Sequence, residues 1–282
     1  MPRFISLTHQ SEQRPPSPLL RIPGAVPCVR ALKALARMGE RAILFMLIKP
    51  ELKGAYMYKA RPKRRGKMAH AFNGQLGRQA IFAQLIESID FEKIIETGTY
   101  MGLTTAYMSH HSSLPVITGE ANAQYFAYAQ QRFKARHKAD APNIDGRHSD
   151  SRSFLKQVLK EHTDPNATLL FYLDAHWYDD LPLREEVEII FSMHPNSVIL
   201  VDDFKVPDDD AYTYDDYGHP NILHLPYLEP ITHIGFHTFF PSLPGEQETG
   251  AKRGCVVLVK DDNLLAQLHT LDTLRHYTHQ PS

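Results

Sequence analysis

Short apolar runs recur along this chain, and four of them end on acidic residues. Ile94-Ile95 leads to Glu96, PVITG (115–119) to Glu120, LLFYL (169–173) to Asp174, and VILV (198–201) to Asp202-Asp203. Brief continuous apolar runs bounded by turn residues read as strands buried on both faces of a parallel sheet. Between them the period changes to that of helices. Within 72–89 a helix of about 14 residues carries Ile81, Phe82, Leu85 and Ile86 on one face. Further helices are predicted over 102–112, 121–138, 153–162 and 183–193, with Tyr125, Tyr128, Ala129 and Phe133 of the second facing the sheet. Residues 144–148 form another strand, and 237–240 and 255–260 are short apolar segments near the end. Strand and helix in alternation predict an α/β fold, a doubly wound sheet with helices on both faces.

The N-terminal quarter lacks this pattern. Residues 1–24 are proline-rich and polar and read as disordered. Residues 28–49 read as an amphipathic helix interrupted by Arg30, Lys33, Arg37 and Arg41, too charged for a membrane span. It would pack on the domain or on a partner, with peripheral contact to a membrane surface as the alternative. The basic run RPKRRGK (61–67) reads as a solvated linker. The chain therefore divides into an extension, 1–70, and a domain, 71–282, ordered from near Ala71. A net charge of -1 gives no global field that would recruit nucleic acid. Two distant cysteines, Cys28 and Cys255, suit a reducing compartment. The first residues lack the apolar core of a signal peptide, so a cytoplasmic location is expected.

Chemistry concentrates at the ends of the strands. Gly98 and Gly102 in ETGTYMGLTT permit tight turns and close approach of a ligand before a helix whose N-terminus favours anions. The spacing E-x-G-x-x-x-G differs from the dinucleotide fingerprint. Glu120, at the next strand end, is placed to accept hydrogen bonds from ribose hydroxyls, or to complement a helix dipole. Asp150-Ser151 follows the third strand and suits a helix N-cap. Asp174, Asp202 and Asp203 at neighbouring strand ends would repel unless something positive lies between them, and a divalent ion such as Mg²⁺ is the expected occupant. His176 could accept a proton from a metal-bound hydroxyl, or form a structural hydrogen bond. Trp177 would wall the pocket or anchor its loop. The acidic, tyrosine-rich stretch 206–218 could close over substrate or stay a surface loop. Lys252 or Arg253 could turn toward an anionic group.

Across roughly residues 72–259 the motifs ETGTYMGLTT, Glu120, SDSRSF, FYLDAHWYDDLPLREE and VILVDDF, in that order, resemble class I S-adenosylmethionine (SAM)-dependent methyltransferases. The last two also resemble bacterial metal-dependent sugar O-methyltransferases. The resemblance implies a Rossmann-like sheet of seven strands with the last antiparallel. It implies SAM held by Glu96, Gly98, Thr99, Tyr100, Gly102, Thr104, Glu120, Asp150 and Ser151, with Asp150 near the adenine. It also implies metal on Asp174, Asp202 and Asp203. His176 falls where that family has a second Asp acting as base, which leaves Asp174 and His176 as the catalytic pair. The implied acceptor is a small molecule, a glycan or a vicinal diol, and the enzyme could be a homo-oligomer. A metal-dependent hydroxylase and a non-catalytic nucleotide- or glycan-binding module on the same fold are the alternatives.

Overall fold

Alternate residues of each central strand feed two separate cores. On β1 (Lys93–Thr97), Ile95 faces one core and Ile94 the other, as the two-residue strand period requires. The computed structural model describes residues 48–136, 143–162, 164–176 and 180–278. The parallel strands are β1, β2 (Val116–Glu120), β3 (Ile144–His148), β4 (Leu169–Leu173) and β5 (Ser197–Val201). Helices α5 (Ser151–Glu161) and α6 (Leu183–Met193) cover one face, through Phe154, Leu155, Val187 and Ile190. Helices α2 (Leu76–Ser88), α3 (Leu103–Ser112) and α8 (Asp262–Leu268) cover the other, through Ile81, Phe82, Leu85, Met108 and Leu264.

The sheet has eight strands, in the order β3-β2-β1-β4-β5-β7-β6-β8. Strand β7 (Val256–Val259) runs antiparallel to β5 and to β6 (His237–Pro241), and β8 (Leu274–Tyr277) antiparallel to β6. The doubly wound α/β expectation holds, but a seven-strand count falls one short. Strand β8 reads LRHY, in which only Leu274 is buried. An edge strand so poor in apolar residues gives no signal in sequence.

The compact body starts at Lys49, ahead of Ala71. Helix α1 (Pro50–Ala60) has proline in its first turn, where a missing N–H costs nothing. It packs on α4 (Ala123–Arg136) so closely that a Cβ on Gly54 would lie 2.0 Å from the Gln124 carbonyl oxygen. The run read as a linker holds a 3₁₀ turn, Pro62–Arg65. The helix expected over 28–49 lies outside the described residues, except for Ile48 and Lys49. No helix among the described residues is long and apolar enough to cross a membrane. The remaining helix, α7 (Leu225–Leu228), is a single turn before β6.

Candidate active site

Carboxylates meet at the carboxyl edge of the sheet in two groups. The first surrounds the turn between β1 and α3. Glu96 is 1% exposed, and its Oε2 accepts from Thr105 Oγ1 at 2.5 Å and from Thr118 Oγ1 at 2.6 Å. Burial pushes its pKa up to about 7 against those two hydroxyls, and the Glu120 charge adds to the rise. Glu120 is held by backbone donors, Tyr100 N–H on Oε2 and Asn122 N–H on Oε1, both at 2.7 Å. Burial raises its pKa, and the two N–H groups oppose that. A carboxylate held in this way retains lone pairs for a ligand hydroxyl.

The turn glycines are demanded by the protein itself. Gly98 sits at φ +86°, and a Cβ there would come within 2.2 Å of the Asp174 carbonyl oxygen. Gly102, at φ +70°, would press a Cβ to 2.7 Å from the Phe133 ring. The space that a Cβ would fill, expected to belong to a ligand, belongs to the backbone just after β4 and to α4. Tyr100 holds a left-handed backbone, φ +48°, and its ring meets Tyr125 with centroids 4.5 Å apart. Thr99 shares a short hydroxyl contact with Thr118, and Thr104 Oγ1 accepts the Phe72 N–H at 3.3 Å. Both threonine hydroxyls are thus engaged within the protein. Asp150 caps α5 by accepting the Ser153 N–H at 3.0 Å, which lowers its pKa. Ser151 opens that helix. Ser149 N–H to Glu120 O, at 3.1 Å, ties this corner to β2.

The second group lies at the ends of β4 and β5, and its charges are already matched. The Arg78 guanidinium, from α2, pairs with Asp202 Oδ1, while Tyr172 OH donates to Oδ2. Arg78 is 1% exposed and also donates to the carbonyls of Arg253 (2.5 Å) and Gly254 (2.8 Å). Burial would raise the Asp202 pKa, but the Arg78 charge and the donors from Tyr172, Arg78 and Asp203 N–H hold it below the usual carboxylate value. Arg253 Nε donates to Asp203 Oδ1 at 2.6 Å, and its Nη2 to Asp215. Burial and the Asp202 charge still raise Asp203 to about 7 against that guanidinium. Asp174 stands beside them, its pKa raised well above normal by burial and by Asp202, Asp203 and Glu96.

This donor set does not fit the expected Mg²⁺. Of the three proposed ligands, Asp202 has both oxygens engaged, and Asp203 is paired to a cation. Among the described residues no group of three His, Cys, Asp or Glu side chains could hold a metal ion. The positive charge that the carboxylates require is supplied by two arginines, one 175 residues before the carbonyl it also binds.

His176 is 5% exposed, and neither ring nitrogen has a hydrogen-bond partner among the described residues. Burial pushes its pKa down to about 4, against the pull of Asp215 and Asp202. A neutral imidazole with two open nitrogens is thus set among Asp202, Asp215 and Arg253. Trp177 lies outside the described residues.

Part of the chain resembles a solved structure. A candidate O-methyltransferase from Klebsiella pneumoniae superposes with a TM-score of 0.50 at 15% identity, over 78% of this chain and 95% of that one. This is a class I methyltransferase fold. An O-methyltransferase from Bacillus cereus in complex with S-adenosylhomocysteine is similar at 18% identity and TM-score 0.47, over 65% of this chain and 81% of that one. No family model and no curated protein matches the chain.

The stretch 206–218, read as either a closing loop or a surface loop, follows β5. Here it is fastened down. Asp215 N–H bonds Asp203 O (2.9 Å), Thr213 N–H bonds Lys252 O (2.8 Å), and Gly254 N–H bonds Thr213 O (2.7 Å). Tyr212 is buried, its hydroxyl on Leu243 O at 2.9 Å. Asp215 is a site residue that reading the sequence missed, because its role depends on Arg253 across the fold. Arg78 left a signal: it shares one helix face with Ile81, Phe82 and Leu85, and a charge in an apolar stripe demands a buried partner. Glu186 lies on α6. It is fully buried with neither oxygen hydrogen-bonded among the described residues, and burial raises it to about 7 against the nearby Ser151 and Thr97 hydroxyls.

Proposed function

We propose that this protein is a SAM-dependent O-methyltransferase. The observation that carries this reading is the pair of carboxylates, Glu96 and Glu120, set at adjacent strand ends around the 98–102 turn with lone pairs free to accept. Glu120 is the acceptor for the ribose hydroxyls of SAM, and the turn lends its backbone and the Tyr100–Tyr125 rings as a wall. Asp150 and Ser151 lie on the adenine side. Bound SAM supplies an electrophilic methyl group.

His176 then accepts the proton of the attacking hydroxyl on Nε2 or Nδ1, both without a partner among the described residues. With a pKa of about 4 it is fully neutral near pH 7 and ready to accept, yet only weakly basic. Asp202 and Asp215, which favour its charged form, stabilise the imidazolium as it appears. Alignment of oxygen and methyl supplies the larger part of the acceleration.

The acceptor is a small hydroxylated molecule, sugars included. Calorimetric titration with SAM and with S-adenosylhomocysteine tests the reading. Micromolar binding of both supports it, and absence of binding sinks it. Retention of full methyl transfer by His176→Ala would remove His176 from the mechanism.

A further inference from the structure

Charge is distributed unevenly in this chain. Residues 49–67, KPELKGAYMYKARPKRRGK, hold eight lysines and arginines and a single carboxylate, Glu51, in a chain whose net charge is -1. Lys49, Lys59, Arg61, Lys63 and Lys67 are exposed, and none of them is ion-paired among the described residues. On α1 the face opposite buried Gly54 and Met57 presents two large apolar side chains four residues apart, Leu52 (62% exposed) and Tyr56 (61% exposed). The chain enters this segment from seven consecutive apolar residues, AILFMLI (42–48).

The segment is also held rigidly. Gly54 seats α1 on α4, Arg65 lies 4.3 Å over the Tyr58 ring, and Arg132 donates at 2.7 Å both to Arg65 O and to Met101 O. A solvated linker needs none of these fastenings. They anchor the basic stretch to the catalytic domain beside the 98–102 turn.

We infer that residues 49–67 form a docking surface for an anionic phospholipid bilayer. Exposed cations on a fixed frame match the negative potential of such a surface, and the attraction falls with salt. Protruding leucine and tyrosine side chains on the same helix match the boundary between headgroups and acyl chains. That second feature favours a bilayer over a nucleic acid, for which an aliphatic side chain offers nothing to stack on.

The experiment is cosedimentation of the full chain with phosphatidylcholine vesicles, with and without phosphatidylserine, at low and high salt. The expected result is binding that needs phosphatidylserine and weakens at high salt. Lys59→Glu, Arg61→Glu and Lys63→Glu together should lower the partition more than about tenfold, and Leu52→Asp should lower it less. All four positions are exposed, so an unchanged melting temperature would show that the variants still fold. Binding retained by the triple variant would move the contact to residues 1–48 and overturn the inference. So would failure to bind vesicles, or retention of single-stranded RNA in its place. None of these readouts depends on methyl transfer.

Discussion

The β1–β2 edge and the β4–β5 edge both end in buried carboxylates, yet they stabilise them by different means. At the first, neutral donors do the work, with hydroxyls of Thr105 and Thr118 on Glu96 and backbone N–H groups on Glu120. At the second, fixed cations do it, with Arg78 on Asp202 and Arg253 on Asp203 and Asp215. Neutral donors leave a carboxylate's lone pairs available and its pKa near the working range, which suits a ligand that comes and goes. A buried guanidinium locks the geometry, and at Asp202 the charge as well, which suits a frame. A metal ion at the second edge would have to displace those arginines.

Breaking the cationic edge should have the largest effect. Arg78→Ala would leave Asp202 buried and unpaired, at a cost of roughly 3–5 kcal/mol of stability in urea unfolding. Replacing both partners, Arg78→Met with Asp202→Leu, should recover much of that loss, because the penalty belongs to the stranded charge. If Arg78→Ala unfolded at the wild-type midpoint, the lock described here would not exist.

The protonated carboxyls should shape the pH dependence. Glu186, like Glu96, binds its proton more tightly folded than unfolded, so the native state holds more protons than the unfolded state between about 4.5 and 7. Their contribution to stability is complete below the unfolded pKa and is lost as pH rises through the folded one. For Glu186 a rise from 4.5 to about 7 corresponds to roughly 3 kcal/mol. His176 acts in the opposite sense, since its lowered pKa makes stability grow as pH rises from about 4 to 6.5. Glu186→Gln should therefore make the fall toward neutral pH less steep, with Glu96, Asp203 and Asp174 still sustaining it against the rise due to His176. Urea midpoints measured across this range would show no change in slope if Glu186 is ionised throughout.

Arg253→Ala should strip Asp203 and Asp215 of their counter-ion beside Asp174 and create a site for hard cations that the wild type lacks. Electron paramagnetic resonance of free Mn²⁺ would register a gain of millimolar or tighter binding in the variant alone. Stoichiometric Mn²⁺ on the wild type, abolished by Asp203→Asn, would restore the metal reading. The smallest effect is expected at the neutral edge. Thr105→Val removes one of two donors to Glu96 and should cost about 1 kcal/mol. A loss as large as that of Arg78→Ala would erase the contrast between the edges.

What the sequence determined by itself follows from local rules. Short apolar runs alternating with helical periods specify β1, β2, β4 and β5 and the helices between them, since burial on both faces needs nothing beyond the run, whereas β3 (IDGRH) has no such run. Each run stops at an acidic residue, so Glu96, Glu120, Asp174 and Asp202 were already assigned to one edge of the sheet. Asp150 as a helix cap was legible for the same reason, because capping depends on a residue three positions away. Strand β8 was not, because an edge strand takes its identity from the neighbour it pairs with. The counter-ions were decided only in three dimensions. Arg78, Asp202 and Arg253 lie far apart in the chain, and charge pairing depends on distance in space, which no periodicity encodes. Repulsion among the strand-end carboxylates was evident from sequence, but only the fold could show that arginines resolve it.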